Sequence, residues 1–236
     1  MGAVPIEDVV ISVPPKALMP VPGDPAYRFI ARPGQDVYQL PQAVLGRHVH
    51  GEIDPHLWQD VRNAQAYVQV IRDQLIKVDP ANAQTYRANA EKEIAELDEV
   101  HDYVQRSVDS IPKRNRHLVT THDAYGYLAH RYGLDIAAVV APSPVQEPSL
   151  ADRRRLTRTL TDLGVPAVFV EPNASQQAGA LREAANHTGT AICRIWGDAF
   201  TPEVSTYADM MRANADSLAR CLGGTPLGNH DTKDNQ

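Results

Sequence analysis

The sequence predicts an α/β protein: a parallel sheet with flanking helices, joined to one long spanning helix and a short N-terminal β-rich arm. Three observations carry this. After Pro112, strand-like and helix-like stretches alternate four times, the pattern of βα units that feed a parallel sheet. Before it, apolar residues from Tyr86 to Ile111 recur at three- and four-residue steps, the period of one helix face. Ahead of those, the proline-rich residues 1–47 hold only short alternating runs, which suit strands or an irregular arm rather than a helix.

Each element follows from its local pattern. In the arm, 9–13 and 27–31 alternate between Pro-Gly signals and read as short strands. Val61, Ala64, Val68, Ile71 and Leu75 mark one face of a first helix that ends near Asp79-Pro80. Tyr86, Ala90, Ile94, Leu97, Val100, Val104, Val108 and Ile111 mark the second, a helix of roughly 30 residues and about 45 Å. Its apolar positions are too mixed in size for a coiled-coil arm. Strands are predicted over 117–121, 136–141, 167–170 and 190–196, and helices over 123–132, 149–163, 175–187 and 204–222. The resulting division is an arm (1–47), a histidine-containing loop with two helices (48–112), a βα lobe (113–224) and a polar, disordered tail (225–236).

Composition narrows the partners. A net charge of -6 and a pI near 5.8 argue against nucleic acid or an anionic membrane surface, both of which call for basic clusters. The run Arg153-Arg154-Arg155 reads as a solvated helix face. No apolar stretch approaches the roughly 20 residues of a membrane span. The opening MGAVPIEDVV lacks the features of a signal peptide, so the chain is expected to be cytosolic or an exported product without its leader. Cys193 and Cys221 fit either buried thiols or a single disulfide.

The chemistry collects where such sheets bind ligands, beyond the carboxyl ends of the strands. The first strand of the lobe runs into Thr121-His122-Asp123, the third into Glu171-Pro172-Asn173 and the fourth into Trp196-Gly197-Asp198. The stretch HVHGEIDPHLW, residues 48–58, adds three histidines and two carboxylates before the first helix. Imidazoles and carboxylates drawn from distant loops are the donors of a zinc-type site. Each residue also has a plainer job: Asp123 as a helix N-cap, the role its position favours, His56 packed beside Trp58, and Glu171 tying down backbone N–H groups. There is no G-x-S-x-G elbow, P-loop, G-x-G-x-x-G or H-E-x-x-H motif, so nucleophilic catalysis and nucleotide binding lack support.

Four stretches resemble one family, the extracellular metal-binding proteins of zinc and manganese ABC transporters. DPHLWQDVRNA is similar to that family's histidine-bearing entry to its helical lobe and THDAYGYLAHRYGL to its second ligand motif. AVFVEPNAS is similar to its glutamate-proline strand end and TYADMMRANADSLARCL to its last helix. The likeness runs from about His48 to Gly224 and implies the C-terminal lobe of a helical-backbone solute-binding protein, with the long helix at 82–111. It implies His56, His122 and Asp198 as metal ligands, Glu171 and Asp123 as supporting residues behind them, and a Cys193–Cys221 disulfide. Zinc is the implied ion, with manganese the alternative, because two or three imidazoles and one carboxylate suit zinc. The implied partner is a membrane permease, and the implied location is outside the cytoplasm, in the periplasm or at the cell surface.

One departure stands out. The family's N-terminal lobe of roughly a hundred residues does not fit into 1–47, so the chain is expected to lack most of that lobe or to have it supplied by another chain. His48 and His50 then serve either as substitute ligands or, the favoured reading, as a metal-gathering loop. Two other functions stay in competition. A zinc hydrolase would leave the fourth metal position to a water, with Glu171 or Asp123 as general base; an adhesion or docking domain would bind no metal tightly.

Overall fold

The computed structural model describes residues 28–30, 37–39, 56–141, 149–173 and 175–228, with the backbone alone described for 28–30, 37–39, 122, 141, 152 and 175–177. The expected strand over 9–13, the loop histidines His48 and His50, and residues 229–236 lie outside the described residues. The chain divides into two compact units, Met1–Glu99 and Val100–Gln236. That boundary falls inside the long helix. Val100, Val104 and Val108 are fully buried, so the second half of the helix belongs to the βα unit.

In the first unit, β1 (Arg28–Ile30) and β2 (Val37–Gln39) pair antiparallel, Phe29 opposite Tyr38. A 3-10 turn at Leu57–Gln59 leads into α1 (Val61–Val78), and a second at Pro80–Asn82 into α2 (Ala83–Asp109). Asp60 caps α1 by accepting the Arg62 N–H at 2.9 Å, which satisfies one of the donors a helix start leaves open. Gln65 Nε2 donates to the Ile94 carbonyl at 3.1 Å and to Asp98 Oδ1 at 3.0 Å, and Arg62 also pairs with Asp98. These bonds tie the first turns of α1 to α2. The apolar stripe is buried there, at Val61 and Ala64, but Ile71 and Leu75 are 50% and 36% exposed, so the stripe is not buried along its whole length.

The second unit runs β3 (His117–His122), α3 (Gly126–Tyr132), β4 (Asp135–Ala141), α4 (Leu150–Leu163), β5 (Ala167–Val170), α5 (Ser175–Thr188), β6 (Ala191–Arg194), α6 (Tyr207–Cys221). Its strands are parallel in the order β4-β3-β5-β6. Leu118 to Thr121 and Ala167 to Val170 are buried without alternation, the mark of a parallel sheet covered on both faces. Val119, Val168 and Val170 pack against Leu156 and Leu160 of α4 and Leu181 of α5. A disulfide joins Cys193 of β6 to Cys221 of α6, with Cα atoms 6.7 Å apart. The fold class is the one the sequence predicts.

Several ends differ from expectation. Asp123 does not cap α3, which begins three residues later with Tyr125 at its N-cap position and no side-chain cap bond; Ala124 and Tyr125 are wholly buried, and the chain stays non-helical until they are inside. β6 stops at Arg194: Ile195 N–H still bonds to the Val170 carbonyl, but the Arg194 carbonyl and both backbone groups of Trp196 turn to side chains of α6. That helix begins at Tyr207, after Thr206 accepts the Asp209 N–H at 3.1 Å. The start of the tail is ordered: Thr225 N–H donates to Ser110 Oγ at 2.8 Å, and Gly228 N–H to Asp216 Oδ1 at 3.0 Å. Buried Asp216 also accepts from Tyr103 at 2.7 Å, so 225–228 close over α2 and α6 rather than trailing free.

Candidate metal-binding site

The strand order places a reversal between β3 and β5: the chain steps from β3 to β4 on one side, then crosses to β5 and β6 on the other. Ligand crevices in such sheets open at that reversal, beyond the carboxyl ends. Thr120 is level with Phe169, so β3 and β5 run side by side toward His122 and Glu171, each two residues beyond that pair. The backbone thus brings the ends of two motif-bearing strands side by side. The His122 side chain lies outside the described atoms.

Glu171 is 3% exposed, and a buried carboxylate needs partners for its charge. Its Oε1 accepts a short hydrogen bond from the Tyr125 hydroxyl, and its Oε2 accepts from Thr121 Oγ1 at 3.3 Å. Both of these donors are side-chain hydroxyls. Burial, then the charge and hydrogen bond of Glu171, then the charge of Asp198, push the Tyr125 phenol well above its ordinary range. It therefore stays a protonated donor. The third strand end closes on the same group: a Cβ on Gly197 would stand 2.9 Å from the Tyr125 hydroxyl and would overlap Glu171 Oε1, so only glycine fits there.

Asp198 follows, exposed to solvent, on a loop that is fixed from behind. Asn214 of α6 accepts the Trp196 N–H at 2.8 Å and donates to the Trp196 carbonyl at 2.8 Å, replacing a lost strand partner with a side-chain amide. Ile195 N–H continues the ladder to the Val170 carbonyl at 3.0 Å, and Ser217 Oγ donates to the Arg194 carbonyl at 2.5 Å.

His56 belongs to the first unit. It is buried and stands at the N-cap of the 3-10 turn, edge-on to Trp58 with ring centroids 5.3 Å apart. The packing beside Trp58 is therefore present. Among the described residues, no group of three or more His, Cys, Asp or Glu side chains converges as metal donors.

Sequence reasoning did not single out Thr121, Tyr125, Gly197 or Asn214. Asn214 carried a signal, a lone amide among Met210, Met211, Ala215 and Leu218 on the apolar side of its helix. The hydroxyl partners of Glu171 carried none, because their pairing depends on strand order.

The model of the family described as ZnuA, zinc-uptake complex component A, periplasmic, matches residues 28–221. The chain belongs to this family. The match begins upstream of the stretch from His48 that carried the resemblance, taking in β1 and β2. The manganese-binding lipoprotein MntA of Halalkalibacterium halodurans is 34% identical over 174 residues, covering 72% of this chain and 57% of that protein. The high-affinity zinc uptake protein ZnuA of Paracoccus denitrificans is 34% identical, covering 72% of this chain and 52% of that protein. The chain therefore spans a little over half the length of these ZnuA-family relatives. Among solved structures, the periplasmic zinc-binding protein TroA of Treponema pallidum is 28% identical with a TM-score of 0.64, covering 73% of this chain and 65% of that one. Fe(III)-bound YtgA of Chlamydia trachomatis is 26% identical with a TM-score of 0.69, covering 79% and 69%. MntA is described as manganese-binding, TroA as zinc-binding and ZnuA as a zinc uptake protein, descriptions that match the expected binding module and not the hydrolase alternative. Among the described residues no helix is long and apolar enough to cross a membrane.

Proposed function

We propose that this ZnuA-family chain captures a divalent transition-metal ion, zinc in preference to manganese, outside the cytoplasm and delivers it to an ABC-transporter permease. His56, His122 and Asp198 are the ligands in this reading, Glu171 stands behind them, and His48 and His50 gather the ion from a preceding loop. What carries the reading is the reversal of strand order, which sets the end of β3, with its His122, beside the end of β5 in a chain of this family. The donor set supports zinc, since imidazole nitrogens with a single carboxylate suit it better than manganese, which favours more oxygen. Export is supported by the Cys193–Cys221 bond, because disulfides persist in oxidising compartments.

Calorimetric titration of the metal-stripped chain tests this. The expected result is one zinc per chain at submicromolar affinity, weaker by at least about a hundredfold, roughly 2.7 kcal/mol, in His122→Ala. Weak, multiple binding indifferent to His122 would overturn the assignment. With tight binding in hand, His48→Ala and His50→Ala decide between a gathering loop, which leaves affinity unchanged, and a fourth ligand.

A further inference from the structure

We propose that Tyr125 is a positioning residue that sets metal preference by holding Glu171 away from the ion. The inference rests on the zinc-binding reading above and deepens it. Glu171 is a buried carboxylate at the end of the strand beside β3, so by chemistry and place it is a potential extra oxygen ligand. Three separate segments confine it. Tyr125, from the loop before α3, donates to Oε1; Thr121, from β3, donates to Oε2; and Gly197, beyond β6, leaves no room for a side chain against the same oxygen. Each oxygen keeps a second lone pair, so the restraint is one of orientation: swinging the carboxylate toward an ion would carry it off its two hydroxyl donors, a loss at buried groups that water does not make good.

The consequence differs between ions. Zinc is satisfied by four ligands, of which histidine nitrogens are preferred, and loses little when Glu171 is withheld. Manganese is a harder ion that gains from each added carboxylate oxygen. Tyr125 therefore selects against manganese through Glu171, without touching the metal. The Gly197 backbone approach keeps the phenol and carboxylate together, so the restraint is built into the fold before any ion arrives.

The test is Tyr125→Phe, which removes one oxygen and keeps the ring. Wild type, Tyr125→Phe and His122→Ala are each titrated with Zn(II) and with Mn(II), and the Mn(II)-loaded proteins are compared by electron paramagnetic resonance. In Tyr125→Phe, manganese affinity is expected to rise about tenfold relative to zinc, the factor that 1.4 kcal/mol gives, with an altered Mn(II) spectrum. Thr121→Val, which frees the other oxygen from a longer bond, moves the ratio the same way by less. A merely structural role for the phenol would weaken both ions together and leave their ratio unchanged. That result, or an unchanged spectrum with tight His122-dependent zinc binding in wild type, overturns the role of Tyr125 alone. Zinc binding that is weak in wild type and indifferent to His122 overturns it together with the metal-binding reading.

Discussion

The entry to α1 and the rim of the sheet both hold a candidate ligand, and they are built in opposite ways. At α1 short-range contacts set the turn: His56 lies against Trp58, Asn63 donates to the Leu57 carbonyl at 3.2 Å, and Asp60 caps the next turn, with Gln65 and Arg62 reaching on to Ile94 and Asp98 of α2. At the rim, Tyr125 and Glu171 are 46 residues apart in sequence, Thr121 and Glu171 50, and Asn214 and Trp196 18. A short segment specifies the turn and cap of the first arrangement through its own sequence, and α2 then anchors it. The second exists only when four strands and α6 are in place, so its geometry is a property of the folded unit. The rim should therefore fail cooperatively with that unit, whereas the α1 entry should fray by itself.

The largest break in this comparison is expected from the clamp between β6 and α6. Cys193 and Cys221 are 28 residues apart, and a loop of that size is worth ~3–4 kcal/mol. Cys193→Ser with Cys221→Ser should lower the denaturant midpoint accordingly and speed amide exchange at Ile192 and Ile195. Exchange at α1 amides that already open locally should be unchanged; equal acceleration in both regions would deny the rim its separate character.

Asn214→Ala should cost ~2–3 kcal/mol, since it strips partners from a buried N–H and a buried carbonyl of Trp196 together. Chemical denaturation measures it, and metal affinity should fall as well, because Asp198 loses its fixed base. Asn214→Asp, which keeps the acceptor and loses the donor, sharpens the point by falling between the two.

The smallest effect is expected at the first unit. Asp60→Ala removes the α1 cap and should cost ~1 kcal/mol, with Asp60→Ser recovering most of it. Amide exchange should localise the change to the first turn of α1. A loss as large as that of Asn214→Ala would mean that Asp60, fully buried, is tied into more than its helix.

What the sequence made legible follows the same divide. Apolar period and turn residues predicted α1 to within a residue and β5 residue for residue, because those signals are local. The start of α3 was misplaced because an aspartate after a strand looks like a cap, while the burial of Ala124 and Tyr125 that delays the helix is a tertiary demand. The predicted strand over 190–196 runs past the end of β6 because Trp196 looks like strand, yet its backbone pairs with the side chain of Asn214. The start of the tail was read as free because its composition is polar, whereas Thr225 and Gly228 find partners on distant helices. Of the candidate site residues, His56, His122, Glu171 and Asp198 stand out by residue type and position. The hydroxyls that hold Glu171 do not, since strand order has first to bring Thr121 and Tyr125 to it.

The central claim is that His122, ending β3 beside the end of β5, helps to bind the ion, with His56 as the second imidazole. X-ray absorption at the zinc edge on the zinc-loaded chain tests it most directly. The account predicts a nitrogen and oxygen shell at about 2.0–2.2 Å without sulfur, carrying the scattering of two imidazoles, reduced to one in His122→Ala. An oxygen-only shell, or one unchanged by that substitution, would contradict it.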